Sequence, residues 1–461
     1  MPNNKLMHQD SIQTPHSTQV QWIFVLSAAL LCFAPLMRGG RMYPALMIIE
    51  TLSILLLVIV LWYPHHKKHV PLLAWLFIII GTAIPLIYLI PMPLNVWQQL
   101  PGRALYVESL EILQAAGVTT HYLTLSVIPS RTLTSLLGLL PVIAIFIATL
   151  QLPKLYIIRL VYIFLAVATF QASIGLIQYG SGAEWAFWWQ ITDSNNAVGT
   201  YPNRDHFSAL MELAIPIALG LTAYNFRNKK HDKEHREQRV NQTLVFFTIS
   251  LVLILAGIFA RSRTGVALVM LALLLSSVIF ARHIGGKRAL GFGAAITVIA
   301  LGIATNIGLI PVLNRFAVDP LEDLRWEIFA QTWEATKQFF PWGSGPGTFQ
   351  SVFMAFQPLE VHNFVNHAHN DYLELLLEIG IFGIALIMLF LMLYLKGWIQ
   401  LYKRRNSSEA WGYFYFIQIS AGISLLLLLL HGVTDFNFHT PANTIFFAFL
   451  GGVFLFNSKR Q

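Results

Sequence analysis

Long apolar runs separated by short polar stretches dominate the chain. An α-helix needs roughly 20 apolar residues to cross a hydrocarbon core about 30 Å thick. On this criterion about twelve runs qualify, which predicts an all-α polytopic membrane protein with residues 1–461 in a single integral membrane domain. The predicted spans are residues 21–37, 43–62, 72–92, 132–151, 155–178, 207–226, 243–260, 264–281, 289–309, 372–395, 411–432 and 440–457.

Composition supports this class of protein. Of the 461 residues, 56% are hydrophobic and only 11% are charged, whereas a soluble protein carries about 25% charged residues. The net charge of +8 is not interpreted as a nucleic-acid site, because the charges are distributed over loops between apolar runs. The single cysteine, Cys32, lies inside an apolar run, so no disulfide framework is expected.

Lysine positions predict the orientation of the spans. If the spans alternate in direction, every lysine except Lys337 falls on one side, and cytoplasmic loops are the lysine-rich ones. Both termini are then cytoplasmic, and the long loops of about residues 93–131, 179–206 and 310–371 lie outside. The lysines on the cytoplasmic side are Lys5, Lys67, Lys68, Lys154, Lys229, Lys230, Lys233, Lys287, Lys396, Lys403 and Lys459.

Arginine is distributed differently and is frequent on the outer side. The planar guanidinium is always charged and matches phosphate in a two-pronged manner, although arginines at an interface also bind lipid head groups or backbone carbonyls. The outer arginines are Arg38, Arg41, Arg103, Arg131, Arg204, Arg261, Arg263, Arg315 and Arg325.

Three polar clusters stand at the outer starts of predicted spans. "YPNRDHFSAL" carries Arg204, "FARSRTGVAL" carries Arg261 and Arg263, and "NHAHNDYLEL" carries His367 and His369. Free N–H groups and the positive dipole end of a helix N-terminus suit an anion. Arg261 and Arg263 differ by two positions, so we expect one of them to face such a site.

The histidine cluster has its own helix-start signal. Asp371 followed by Glu374 predicts a D-x-x-E capping box, which places His369 just ahead of a helix N-terminus. The protonated form is disfavoured there, so a neutral imidazole that can accept a proton is expected. Arginines that hold a diphosphate and a histidine that deprotonates a hydroxyl would together transfer a group from a lipid diphosphate to an alcohol.

The histidines also allow two other interpretations, a metal site and a purely structural role. His367, His369 and Asp371 stand at alternate positions, which on an extended strand could bind a metal. No cysteine assists, however, and a helix begins at once, so no metal site is predicted. His369 could also serve only as a hydrogen-bonding residue at the interface.

The loop of residues 310–371 contains further signals. "DPLEDLRWEIFAQTWEATKQFF" predicts an amphipathic helix on the outer interface. "PWGSGPGTF" then predicts a chain reversal, with a phosphate-binding turn as the less favoured alternative. Farther on, "HGVTDFNFHTPAN" contains His431, Asp435 and His439, which either border the same site or lie at the interface.

Over roughly residues 195–450 these motifs resemble the O-antigen ligase and O-antigen polymerase superfamily of bacterial envelope glycosyltransferases. The ligase signature is His, then Asn, Ser or Gln, nine residues, Gly, two residues, then Gly, Thr or Tyr. His369-Asn370, Gly380 and Gly383 match it. The resemblance implies that His369 is catalytic and that Arg204 and Arg263 bind the diphosphate. The further candidates are Arg261 for the diphosphate and His367, Asn370, Arg325, His431 and Asp435 as secondary site residues.

The resemblance also implies a fold and a reaction. The fold would be a GT-C-like helical bundle with a large periplasmic loop over the site, in the bacterial inner membrane. The reaction would be inverting and metal-independent, would need no cofactor, and would use an undecaprenyl-diphosphate-linked glycan as donor among membrane lipids. "YPNRDHF" and the late His-Asp element favour a polymerase, whose acceptor is a second lipid-linked glycan and whose partners could include a chain-length regulator.

Three alternatives remain at this point. A ligase would use lipid A-core as acceptor, and a protein O-oligosaccharyltransferase would use a protein side chain. A lipid-linked oligosaccharide flippase or another transporter also has about twelve spans, but transporters place their sites near the midplane in two related halves. Here Glu50 and Glu212 are the main charges within the spans, and the halves show no evident kinship.

Overall fold

The structure is a computed structural model, and its described part is α-helical. Short two-stranded pairings are the other regular elements there, so the predicted all-α polytopic class is confirmed. The structure describes residues 18–62, 70–182, 185–186, 189–190, 196–226, 236–284, 298, 302, 320–359, 361–362, 364–406 and 411–457.

The helices follow the apolar runs closely. In chain order they are α1 (Thr18–Phe33), α2 (Leu36–Gly39), α3 (Tyr43–Trp62), α4 (Leu72–Tyr88), α5 (Leu94–Trp97), α6 (Val107–Ala115), α7 (Pro129–Gln151), α8 (Lys154–Ser181), α9 (Arg204–Phe226), α10 (Arg236–Phe259), α11 (Arg263–Ile284), α12 (Pro320–Phe339), α13 (Phe349–Phe353), α14 (Asp371–Arg404), α15 (Tyr413–His431) and α16 (Pro441–Leu455). Within the described residues, 3-10 helices cover Arg103–Tyr106 and Asn437–His439. Antiparallel pairs join β1 (Pro91–Pro93) to β2 (Tyr122–Thr124) and β3 (Trp185–Ala186) to β4 (Trp189–Gln190).

Eight helices in the described ranges are long and apolar enough to cross a membrane, and three shorter apolar helices accompany them. These coincide with all the predicted spans except 289–309, of which the structure describes only residues 298 and 302. The largest boundary difference is in α14, which continues to Arg404 rather than ending near 395.

Helix α9 lies at the centre of the bundle. It packs against α10, α11 and α15, and nearly all of its residues are buried. A helix that is apolar all round is stable only where every face is covered by protein or lipid, and here protein covers it. The packing therefore fixes the start of α9, with Arg204 and His206, against neighbouring helices.

Helix α14 is kinked at Gly380, which has φ 52° and ψ −128°. A side chain there would be strained by the positive φ and would overlap the carbonyl oxygen of Pro341. The N–H of Ile381 donates to that same carbonyl at 2.9 Å, so the kink exchanges a helical hydrogen bond for one to the loop that precedes α14. This gives a physical reason for the first glycine of the signature.

The glycine-rich stretch 341–349 folds back onto this kink, as the favoured interpretation predicted. The N–H groups of Ser344 and Gly345 donate to the carbonyls of Leu377 and Glu378 at 3.0 and 2.8 Å. The Glu378 carboxylate accepts from the N–H groups of Gly347 and Phe349 at 2.8 and 2.9 Å. These donors therefore bind a carboxylate of the protein itself rather than a phosphate.

Helix α12 is amphipathic. It packs against α14 and buries Ile328, Ala335 and Phe339 in a second core, whereas Trp326 and Trp333 are exposed. The helix predicted for this segment is confirmed.

Candidate functional site

Residues 434–437, between α15 and α16, form a hub on which several helix starts converge. At its centre is the buried ring of Phe436. The rings of His206, His367 and His369 contact it at centroid distances of 4.7, 4.3 and 4.9 Å. The guanidinium of Arg41 lies over it at 5.5 Å. Residues from opposite ends of the chain therefore surround one side chain.

Asp435 joins two of these histidines. Its Oδ1 lies 3.3 Å from Nδ1 of His369, and its Oδ2 lies 3.7 Å from Nε2 of His206. Burial alone would raise the pKa of Asp435, but the hydrogen bond to His369 and the electrostatic interactions with His206 and His369 hold this pKa well below its usual value. The carboxylate is therefore ionised and can only accept hydrogen bonds.

This contact defines the tautomer of a neutral His369. Nδ1 faces an acceptor and carries the proton, so Nε2 carries the lone pair. The side chain is 23% exposed, and Nε2 has no hydrogen bond within the described part of the chain. His369 also has φ 52°, a left-handed conformation that is uncommon for a residue with a Cβ. The imidazole is thus oriented by Asp435 and accessible at the basic nitrogen.

The helix cap differs from the predicted capping box. Asn370, not Asp371, is the N-cap of α14, because its side-chain oxygen accepts from the N–H groups of Tyr372 and Leu373 at 3.1 and 3.0 Å. Glu374 accepts instead from the N–H of Ala368 at 2.8 Å. The expected position of His369 just ahead of the α14 N-terminus is nevertheless observed, since His369 directly precedes the cap residue Asn370.

His367 lies between a cation and a carboxylate. Arg41 Nη2 donates to its Nε2 at 3.1 Å, and its Nδ1 donates to Glu374 Oε1 at 2.8 Å. Burial, with Arg41 and the neighbouring His439 adding to it, lowers the pKa of His367 to about 4 despite Glu374. Both ring nitrogens are therefore occupied, and His367 has no lone pair left for a substrate.

His439 is held by carboxylates at both ring nitrogens. Nδ1 lies 3.2 Å from Asp371 Oδ1, and Nε2 lies 3.2 Å from Glu374 Oε1. Burial alone would lower the pKa of His439, but Glu374 and Asp371 raise it to about 9. The ring is an imidazolium that joins two turns of α14 to the 3-10 helix 437–439.

The arrangement bears on the metal interpretation. His367, His369 and Asp371 point to three different partners, so that proposed trio is not assembled. His367, Glu374 and His439 do bring ligand atoms within 4.8 Å of one another. However, Arg41 donates to Nε2 of His367, so the proton is on Nδ1, the atom that faces Glu374. These contacts favour a hydrogen-bonded network at this trio over metal ligation.

The network predicts a pH dependence of stability. Because the folded pKa of His439 is raised above the ordinary 6.5, its contribution is fully present below pH 6.5 and is lost as pH rises to about 9. We expect the unfolding temperature of the purified protein to fall over that window, and to fall less in His439→Gln. Equal pH slopes in the two proteins would contradict the assignment of a charged His439.

The arginines predicted at the helix starts occupy different environments. Arg204 and Arg263 are the first residues of α9 and α11. Thr264 connects the α11 start to the hub through a 2.9 Å hydroxyl contact with Thr434. Arg261, at φ 54°, places its guanidinium on Tyr179, with a 3.2 Å hydrogen bond to the hydroxyl.

Two other predicted residues are now located. Arg325 of α12 reaches the hub, with Nη1 3.5 Å from the carbonyl of Thr434 and Nη2 3.5 Å from Asp205. His431 instead lies inside the bundle, where its Nδ1 is 3.0 Å from Glu212. Arg325 is therefore part of the polar cluster, whereas His431 forms a buried ion-pair contact behind it.

The sequence alone does not single out four residues of the cluster. Arg41 stands out only as an arginine on the predicted outer side, Glu374 only as a capping residue, and His206 and Phe436 only as neighbours within longer motifs. His206 stands two positions after Arg204, and Phe436 directly follows Asp435. For His206 and Phe436, the only sequence signal is therefore their closeness to Arg204 and Asp435. Arg41 has no sequence signal beyond its predicted side of the membrane.

The fold and the cluster define a polytopic membrane protein with a polar site where several helices begin. Residues 248–388 match the family described as O-antigen ligase. This match supports the resemblance to the O-antigen ligase/polymerase superfamily that the motifs predicted, and it indicates a glycosyltransferase-type enzyme that acts on lipid-linked glycans. A search of curated proteins gave no match. The matched segment includes Arg261, Arg263, Arg325 and His369, but not Arg41 or the hub.

Proposed function

We propose that the protein is a polymerase that transfers a glycan from undecaprenyl diphosphate to a sugar hydroxyl of a second lipid-linked glycan. The reaction takes place at the periplasmic face of the bacterial inner membrane. The observation that carries the proposal is the His369–Asp435 pair, set among the starts of α9, α11 and α14. It supplies an oriented base beside the positive ends of helices.

The proposed step is a single displacement. Nε2 of His369 takes the proton of the acceptor hydroxyl as its oxygen attacks the anomeric carbon of the donor. The bond from that carbon to the diphosphate oxygen breaks, and the electron pair leaves with undecaprenyl diphosphate. Attack opposite the leaving group inverts the anomeric configuration. The Asp435 carboxylate stabilises the imidazolium that forms.

The leaving diphosphate carries the charge that must be stabilised. Arg204 and Arg263 stand at two helix N-termini, so each combines a fixed positive charge with the positive end of a helix dipole. In this proposal they supply the electrostatic stabilisation that a divalent cation supplies in other diphosphate chemistry, so the mechanism is metal-independent.

The test is a reconstitution of the purified protein in lipid nanodiscs. With a fluorescent undecaprenyl-diphosphate oligosaccharide as the sole glycan, a polymerase produces a ladder of lengthened lipid-linked products. Absence of any new glycosidic bond with this substrate would contradict the polymerase. In proteoliposomes, which enclose a compartment, movement of the substrate across the bilayer without a new bond would support a transporter instead.

A ligase is the second candidate, because the matching family is described as O-antigen ligase. The same preparation separates the two. A ligase leaves the donor unextended and forms a new product only when lipid A-core is added. Transfer to a protein side chain would identify the protein-glycosylating class.

Lysine substitutions test the proposed diphosphate ligands. Arg263→Lys and Arg204→Lys keep the charge but lose the two-pronged fork, so we expect kcat/KM to fall by about 5–150-fold, equivalent to about 1–3 kcal/mol. The matched control is Arg131→Lys, an exposed arginine in the first turn of α7, which should stay near wild type. Wild-type activity in the Arg204 and Arg263 variants would exclude bidentate binding by these residues.

A further inference from the structure

Arg41 follows an unusual turn that connects α1 to α3. Met37 and Arg38 have φ of 54° and 63°, and Gly39 and Gly40 continue at 65° and 81°. Four consecutive residues thus adopt the left-handed conformation, which residues with a Cβ avoid. Such a turn persists only where the surrounding structure enforces it.

The enforcing contacts come from the elements that build the site. A Cβ on Gly39 would lie 3.1 Å from Tyr201 and 3.2 Å from Thr440, and one on Gly40 would lie 2.9 Å from the carbonyl oxygen of Ala34. The turn is therefore packed between the loop before α9 and the start of α16. This packing fixes the point from which the Arg41 side chain extends.

The guanidinium of Arg41 is only partly used by the protein. It lies over Phe436 and donates through Nη2 to the neutral ring of His367. Among the described residues, no carboxylate lies within ion-pair distance of it, and its other N–H donors have no acceptor. The nearby carboxylates already have partners, because Asp435 binds His369 and Glu374 binds His367 and Ala368.

Arg41 also lies near the proposed base. Arg41 and His369 both contact the ring of Phe436, so one side chain separates the half-buried cation from the oriented imidazole. A guanidinium with unused donors in that position matches a phosphate oxygen. An anion there would also compensate a charge that burial disfavours.

We propose that Arg41 is a further ligand of the donor's diphosphate, in addition to the arginines at the helix starts. This inference rests on the proposed function and extends the site to the first outer turn of the chain. The alternative source of a phosphate is a phospholipid head group, and the two sources are separated by the experiment below.

The experiment measures binding rather than turnover, with purified protein in nanodiscs and farnesyl diphosphate as probe. We expect Arg41→Gln to weaken the affinity for farnesyl diphosphate by about tenfold or more. The affinity for farnesyl monophosphate should fall less in this variant. Phosphatidylglycerol in the nanodisc should not compete with farnesyl diphosphate for binding. The matched control is Arg38→Gln, the same charge change in the same turn, which should bind as the wild type does.

Four outcomes would overturn the inference. They are unchanged affinity in Arg41→Gln, equal loss in Arg38→Gln, equal losses for the monophosphate and the diphosphate, and competition by phosphatidylglycerol. If Arg41→Gln unfolds, Arg41→Lys replaces it, with a reduced preference for diphosphate over monophosphate as the expected result. A wild type that binds the probe but forms no glycosidic bond would refute the proposed function and leave the diphosphate site standing.

Discussion

Replacing His369 with asparagine is expected to lower kcat of glycan transfer by about 10²–10⁴-fold, the usual contribution of a general base. Asparagine suits this position because it tolerates the left-handed backbone that His369 adopts at φ 52°. The substitution therefore removes the basic nitrogen with little strain on the start of α14. Binding of the donor should persist, because the arginines remain.

The controls separate the base from its neighbours. His362→Asn changes an exposed histidine on the same loop and should have no effect. His367→Asn should cost much less than His369→Asn, because both nitrogens of His367 are bound to Arg41 and Glu374. Equal losses at 367 and 369, together with inhibition by a chelator and rescue by zinc, would support the metal interpretation and refute the base.

Asp435→Asn is expected to lower kcat to a similar degree, about 10²–10⁴-fold, without abolishing donor binding. The amide carries no charge to stabilise the imidazolium and can present an N–H to His369, which would favour the wrong tautomer. Burial makes the change more severe, since Asp435 is only 1% exposed and faces His206 on its other side.

The measurement pairs single-turnover rates with the unfolding temperature of each variant. Glu334→Gln, which removes an exposed carboxylate of α12, is the matched control and should leave both quantities unchanged. A folded Asp435→Asn protein with a rate within about twofold of wild type would exclude Asp435 as the partner of the base.

Much of the helical architecture could be predicted from hydropathy alone. The reason is physical, because each span must bury about 20 apolar residues irrespective of its partners. Hydropathy does not predict which helix occupies the centre. Helices α3 and α9 are both apolar, yet α9 is almost wholly buried and α3 is largely exposed on the bundle surface.

The site was partly predictable for a different reason. Charged and titratable side chains directly before an apolar run stand out in the sequence, so Arg204, Arg263 and His369 could be found from local pattern. Contacts between distant segments have no such pattern. Arg41 and His367 are 326 positions apart, and no spacing rule connects them.

The cap of α14 illustrates the limit of local rules. Asn370 and Asp371 are both good N-cap residues, and the Glu three positions after Asp371 favoured the latter. Asp371 is instead occupied by His439 and by the N–H of Phe438. A tertiary contact to a segment 68 residues away thus decided which of two adjacent side chains caps the helix.

The attachment of the outer loop to the α14 kink has a consequence for chimeric proteins. Glu378 and the donors at Gly347 and Phe349 satisfy one another across two segments, and exchange of the loop alone between relatives would separate them. A buried polar group left without its partner costs about 1–3 kcal/mol. The loop and the start of α14 should therefore be exchanged together, with both junctions outside residues 320–383. Chimeras for acceptor choice should also keep the partners of this segment, Arg41, Asp435 and His439, identical in both parents.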